Sequence, residues 1–206
     1  MFVSPFRRTI QTACALLKNH PNKSQLELVI DSGCMEHLGS KNAMLLNGRA
    51  LKRFCERMGA QNGLSINCGF LEEERDPEFW FLDMVPDQNL RMRLKKLANE
   101  AKSKDEGQEV QDYDMGVFEA IKHLSITEFK GGNLESLEDF NKRTLAYKEK
   151  IRNYAAANVA DDETLLIVTH SRWINCFFEA MKWSEEKNLY TWGVHTEPCG
   201  LFETTV

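Results

Sequence analysis

The stretch MFVSPFRRTIQTA, residues 1–13, places an apolar run, a helix start and two arginines side by side. Ser4 and Pro5 are residue types that favour the N-cap and the first position of a helix. Apolar residues then recur at helical spacing and predict one buried face: Phe6, Ile10, Cys14 and Leu17. The stretch therefore predicts a short strand that leads directly into an amphipathic helix.

The two arginines, Arg7 and Arg8, fall in the first turn of this predicted helix. A cation there opposes the helix dipole, at a cost of about 0.3–1 kcal/mol. The same turn offers backbone N–H groups that have no partner within the helix. An anion bound beside the turn would resolve this conflict, so we expect both arginines to serve an anion.

Two further apolar runs predict strands, at residues 26–30 and 165–168. The second has four consecutive apolar residues, which is typical of a strand covered on both faces in a parallel sheet. Apolar residues after it trace a helical face: Trp173, Ile174, Phe177, Phe178 and Met181. The closing run GLFETTV predicts a last strand. Strands that alternate with helices favour a single α/β domain over residues 1–206, with a mainly parallel sheet.

A helical and charged insertion is predicted at about residues 85–125. It begins as an amphipathic helix and continues into KSKDEGQE, a charged run without apolar periodicity. A solvated surface segment is the simplest interpretation. A long insertion in an α/β domain can also form a lid, so we expect the residues from about Pro86 to Tyr113 to pack over or beside the site.

The composition excludes several classes of protein. A net charge of −5 argues against nucleic-acid binding, which normally needs a basic excess. No run has membrane-spanning length, and the chain does not open with a secretory signal. The six cysteines are scattered without a CxxC pair, which is typical of free thiols in a reducing compartment. We therefore expect a cytoplasmic protein, and the sequence shows no evident cluster of metal or cofactor ligands.

Polar residues follow each predicted strand, where ligands bind in open α/β sheets. Arg7 and Arg8 follow the first, Glu36 and His37 the second, and His170 with Ser171 the third. A guanidinium binds phosphate oxygens, a carboxylic acid can protonate a leaving alkoxide, and an imidazole can stabilise charge or accept a phosphoryl group. Together these residues favour the handling of a phosphoryl group.

Arg143, in NLESLEDFNKRTLAY, is expected to be an exposed helical residue without a functional role.

Three segments resemble the histidine phosphatase superfamily, the phosphoglycerate mutase-like proteins. SPFRRTIQTA resembles the SPxxRxxQTA segment of that family, and LLIVTHSRWI its second-histidine strand and turn. CMEHLGS is similar to the REHLG segment of the eukaryotic branch. The three occur in the family's order and cover nearly the whole chain.

The resemblance implies a three-layer α/β/α sandwich and phosphoryl transfer through a phosphohistidine. It marks Arg8 as a phosphate-pocket arginine, Glu36 as the proton donor and His170 as the second, charge-stabilising histidine. Arg7 falls at an often basic position, and Ser171 stands where the family often has Gly. A phosphorylated small molecule or a phosphoprotein would be the substrate, and no metal is needed.

One departure from the family is large. Its signature Arg-His-Gly, which ends the first strand and supplies the nucleophile, occurs nowhere in these 206 residues. We expect this chain to be a truncated version of a longer protein, with the first strand missing. The alternatives are a pseudo-enzyme that binds a phosphorylated ligand without turnover, and a protein-interaction domain that uses the insertion as its docking surface.

Overall fold

The computed structural model of the protein describes residues 1–38, 46, 48–73, 77–85, 87–102, 135–184 and 189–192. Within these ranges four strands form one sheet in the order β3-β2-β1-β4, and every neighbouring pair is parallel. The strands are β1 (Phe2–Val3), β2 (Glu27–Ile30), β3 (Ser65–Asn67) and β4 (Ile167–Val168). The predicted α/β class with a parallel sheet is therefore confirmed.

Helices flank this sheet. They are α1 (Arg7–Leu17), α2 (Gly48–Asn62), α3 (Phe70–Glu73), α4 (Gln88–Lys102), α5 (Leu137–Asn158) and α6 (Ser171–Phe177). Short 3₁₀ turns lie at Lys23–Gln25, Ser32–Cys34 and Pro77–Met84. An antiparallel hairpin of β5 (Met181–Ser184) and β6 (Leu189–Trp192) follows α6.

Alternate strand residues enter two hydrophobic clusters, because successive side chains of a strand point to opposite faces. Val3 packs in the cluster that α1, α2 and α4 contribute to, and Phe2 packs with residues of α5 and α6. In β2, Leu28 and Ile30 join the first cluster, whereas Val29 packs against the second. The sheet therefore buries apolar side chains on both of its faces.

The helix after β1 begins later than predicted. Phe6 occupies the N-cap position of α1 without a side-chain cap, so the prediction that Ser4 and Pro5 start the helix is wrong. The Ser4 hydroxyl instead lies 2.8 Å from Nε2 of His170. Arg7 and Arg8 are nevertheless in the first turn, and the predicted apolar stripe from Phe6 to Leu17 is buried.

The region around His170 also departs from its predictions. Strand β4 has only two residues, and Leu165, Leu166 and Ile167 are half-buried rather than covered on both faces. Among the described strands β4 pairs with β1 alone, which explains this exposure. The apolar helical face after His170 ends with α6 at Phe177, and Met181 belongs to β5.

Of the insertion predicted at 85–125, the described part consists of residue 85 and residues 87–102, which include α4. The KSKDEGQE run and the predicted terminal strand GLFETTV lie outside the described residues. Within the described ranges, no helix has both the length and the apolar character needed to cross a bilayer. The same ranges hold no group of three or more His, Cys, Asp or Glu side chains arranged to bind a metal ion.

Gly33 allows the close approach of α5, because a Cβ at this position would overlap the Tyr147 ring. We expect Gly33→Ala to lower the free energy of unfolding by about 1–3 kcal/mol, as forced overpacking does. Urea unfolding measures this cost. In a Tyr147→Ala background the same change should cost much less, and equal costs in both backgrounds would contradict the steric explanation.

Candidate functional site

The ladder around β1 brings three loops to one edge of the sheet. The backbone N–H of Ser4 donates to Val168 O at 3.0 Å, and the N–H of Asp31 donates to Val3 O at 3.0 Å. Because β1, β2 and β4 are parallel, the segments that follow them leave at the same edge. These segments carry the residues singled out in the sequence.

His170 lies between Ser4 and Arg8. Its Nδ1 faces the Arg8 guanidinium, 3.3 Å from Nε and 3.1 Å from Nη2, and its Nε2 is 2.8 Å from the Ser4 hydroxyl. A guanidinium can only donate, so Nδ1 accepts and the imidazole is neutral. Its proton is therefore on Nε2 and is donated to Ser4.

The surroundings of His170 favour this neutral form. Burial lowers the pKa of His170 to about 3, and the Arg8 charge adds to the decrease. The Phe6 ring meets the imidazole edge-on with centroids 4.8 Å apart, and the Arg8 guanidinium lies 4.4 Å from the same ring's centroid. Phe6 thus shields the histidine and supports the arginine that faces it.

Glu36 is a half-buried carboxyl in the loop after β2. Its Oε1 accepts the backbone N–H of His37 at 2.8 Å. Burial raises the pKa of Glu36, against the opposing effects of that hydrogen bond and of the Arg172 and Arg8 charges. Glu36 therefore lies within electrostatic reach of Arg8 and holds a proton at higher pH than an ordinary glutamate.

Arg143 is mostly buried, and the prediction that it is an exposed helical residue is wrong. Its side chain is 16% exposed and forms a bidentate ion pair with Glu135, at 2.8 and 2.9 Å. Its guanidinium also donates to the carbonyls of Met35 at 3.1 Å and Glu36 at 3.3 Å. The Glu135 carboxylate in turn accepts the backbone N–H of Leu38 at 3.2 Å. The pair therefore binds backbone groups on both sides of His37, at Met35 and Glu36 before it and at Leu38 after it.

His37 connects this ion pair to Arg172, a residue for which the sequence offered no signal. The buried His37 donates from Nε2 to the Glu135 carbonyl at 2.7 Å, and its Nδ1 accepts from Nη1 of Arg172 at 3.0 Å. Burial lowers the pKa of His37, which favours this neutral form. Arg172 stands two positions after His170, and its charge acts on Glu36.

The structure thus brings Arg8, Glu36 and His170 to one edge of the sheet. The Arg7 guanidinium lies over the Phe54 ring of α2, 5.0 Å from its centroid. Ser171 is the exposed first residue of α6, and its carbonyl accepts from Asn175 at 2.9 Å.

Comparison of the chain with protein-family models, with curated proteins and with solved structures gives no match.

Removal of Arg143 should destabilise the protein. In Arg143→Met the Glu135 side chain, 2% exposed, loses its counter-charge, and breaking a buried pair in this way costs about 3–5 kcal/mol. Urea unfolding measures the loss. The exposed neighbouring pair of Lys142 and Glu138 is the matched control, and Lys142→Met should cost less than about 1 kcal/mol. Equal losses in the two variants would contradict the assigned role of the buried pair.

The depressed pKa of His170 predicts a loss of stability in acid. Below the ordinary value of 6.5 the unfolded chain takes up a proton that folded His170 refuses down to about pH 3. The free energy of unfolding should therefore decrease as the pH is lowered through this window, by up to about 1.4 kcal/mol per pH unit from this group. Urea unfolding at pH 7, 6 and 5 should show a shallower decline in His170→Gln. An equal decline in the wild type and in His170→Gln would contradict this assignment.

Proposed function

We propose that this chain has a histidine phosphatase-like site that binds the phosphoryl group of a phosphate monoester, within the three-layer α/β/α sandwich of that superfamily. The observation that carries the proposal is the contact of Arg8 with a buried, neutral His170, with Glu36 in reach of the same guanidinium. The contact lies at the carboxyl edge of a parallel sheet, where α/β proteins bind their ligands.

Each of the three residues has a defined role. The Arg8 guanidinium has five N–H donors, and the single lone pair of Nδ1 cannot accept them all. The remaining donors bind phosphoryl oxygens. An arriving dianion draws the Arg8 guanidinium away from Nδ1 of His170, and Nδ1 then takes up a proton, so that the resulting imidazolium stabilises the bound charge. Glu36 retains its proton to a higher pH and donates it to the leaving oxygen. Arg7 and Ser171 have lesser roles in this proposal. Arg7 would have to leave the Phe54 ring to reach a phosphoryl group.

The 206 residues contain no Arg-His-Gly. They therefore do not supply a nucleophile at the family's usual position. We assign turnover through a phosphohistidine to a form that carries this motif. The lack of Arg-His-Gly in these residues also favours the second candidate function, phospho-ligand binding without turnover. His170 could attack a phosphoryl group only through Nδ1, because its Nε2 carries the proton that is donated to Ser4. Nδ1 would first have to give up its hydrogen bonds with Arg8.

Phosphate binding to the chain tests the proposal. Inorganic phosphate or vanadate, titrated by calorimetry or by NMR, should bind the wild type, and Arg8→Gln should weaken binding about 10- to 100-fold, as loss of charged hydrogen bonds does. The matched control is Arg152→Gln, an exposed arginine in α5 that should leave the affinity unchanged.

Equal phosphate affinities in the wild type and Arg8→Gln would overturn the assigned anion site. We also expect the chain to hydrolyse an aryl phosphate at a rate near background. A robust phosphatase activity that His170→Ala abolishes would instead identify His170 as the nucleophile.

A further inference from the structure

A cavity of about 350 Å³ opens beside the candidate site. It lies where β2 ends, between α5 and the 3₁₀ turn Pro77–Met84. It is lined by Asp31, Ser32 and Gly33, directly after β2, and by four residues of α5, Arg143, Ala146, Tyr147 and Lys150. A volume of this size accommodates a single ring with its substituents.

Arg143 joins this cavity to the Glu36 loop. Its side chain lines the cavity, and the same guanidinium donates to the carbonyls of Met35 and Glu36. Arg143 therefore connects the cavity to the backbone of the loop that carries the carboxyl we assign to leaving-group protonation. The cavity and this loop both lie at the carboxyl edge of the sheet, because Asp31 follows β2 as Ser4 follows β1.

The charged side chains that line the cavity already have partners. Lys150 donates to Asp31 Oδ2 at 3.3 Å, and Oδ1 of the same carboxylate accepts the Gly33 N–H at 2.7 Å. The Arg143 guanidinium is engaged with Glu135 and the loop carbonyls. The rest of the lining is the Tyr147 ring with Ser32, Met84 and Ala146. This lining favours an apolar ring over a polyol, because contact with it removes the ring's apolar surface from water.

We propose that this cavity holds the alcohol part of the phosphate ester, and that the preferred substrate class is a phosphate ester of a single apolar, aromatic ring. The inference rests on the proposed phosphate site. With the phosphoryl group on Arg8 and His170, Glu36 meets the bridging oxygen and the ring extends past Arg143 into the cavity. Lys150, with Nζ 5.4 Å from the Tyr147 ring centroid, lies at the solvent side.

A ligand series on the wild-type chain tests this proposal without risk to the fold. Phenyl phosphate should bind at least about tenfold more tightly than inorganic phosphate or glycerol phosphate, since even one well-placed methylene contributes about 10-fold or more. The methyl resonance of Met84, assigned by Met84→Leu in methyl-labelled protein, should shift with phenyl phosphate and stay in place with inorganic phosphate.

Ala146 lines the cavity, so Ala146→Leu should reduce its volume and remove the preference for phenyl phosphate while inorganic phosphate binds as before. Ala157→Leu, on an exposed position of the same helix, is the matched control and should keep the preference. Equal affinities for the three ligands, or a Met84 methyl that does not respond, would overturn the cavity assignment and leave the phosphate site intact. Failure of all three ligands to bind would overturn the proposed function itself.

Discussion

The two-residue strand β1 is the constraint on which the rest of the structure depends. Its backbone pairs on one side with β2 and on the other with β4, in parallel with both. Residues from the beginning, the early part and the end of the chain consequently meet at a single edge of the sheet. A shift of β1 by one residue would exchange Phe2 and Val3 between the two hydrophobic clusters, so the register is strongly specified.

The loop that carries Glu36 depends on a second constraint, the buried pair of Glu135 and Arg143. The pair binds backbone groups from Met35 to Leu38 and, through His37, orients Arg172. Burial of such a network costs desolvation free energy, and its hydrogen bonds and ion pair offset that cost only when every donor and acceptor has a partner. Its position indicates that the backbone around Glu36 is held in one conformation before any ligand arrives.

Charge at the site is arranged around a neutral histidine. Arg8 and Arg172 act on Glu36, while His170 stays uncharged because it is buried and faces Arg8. The edge therefore carries a local positive excess in a chain whose net charge is −5. In the proposed function a phosphoryl dianion neutralises this excess, which resolves the conflict for Arg8 in the first turn of α1, whereas Arg7 lies over the Phe54 ring.

The amino-acid sequence by itself determined the α/β class, the apolar face of α1 and the arginines of its first turn, because these follow from local periodicity. It also indicated Arg8, Glu36 and His170, each of which follows an apolar run. Only the tertiary structure decided the partners of Ser4 and Arg143. A serine before a proline matches a local capping pattern, and an arginine in a polar helix matches a solvated face. Ser4 instead meets His170 and Arg143 meets the Glu36 loop, over 166 and 108 positions of sequence, because the sheet brings distant segments to one edge.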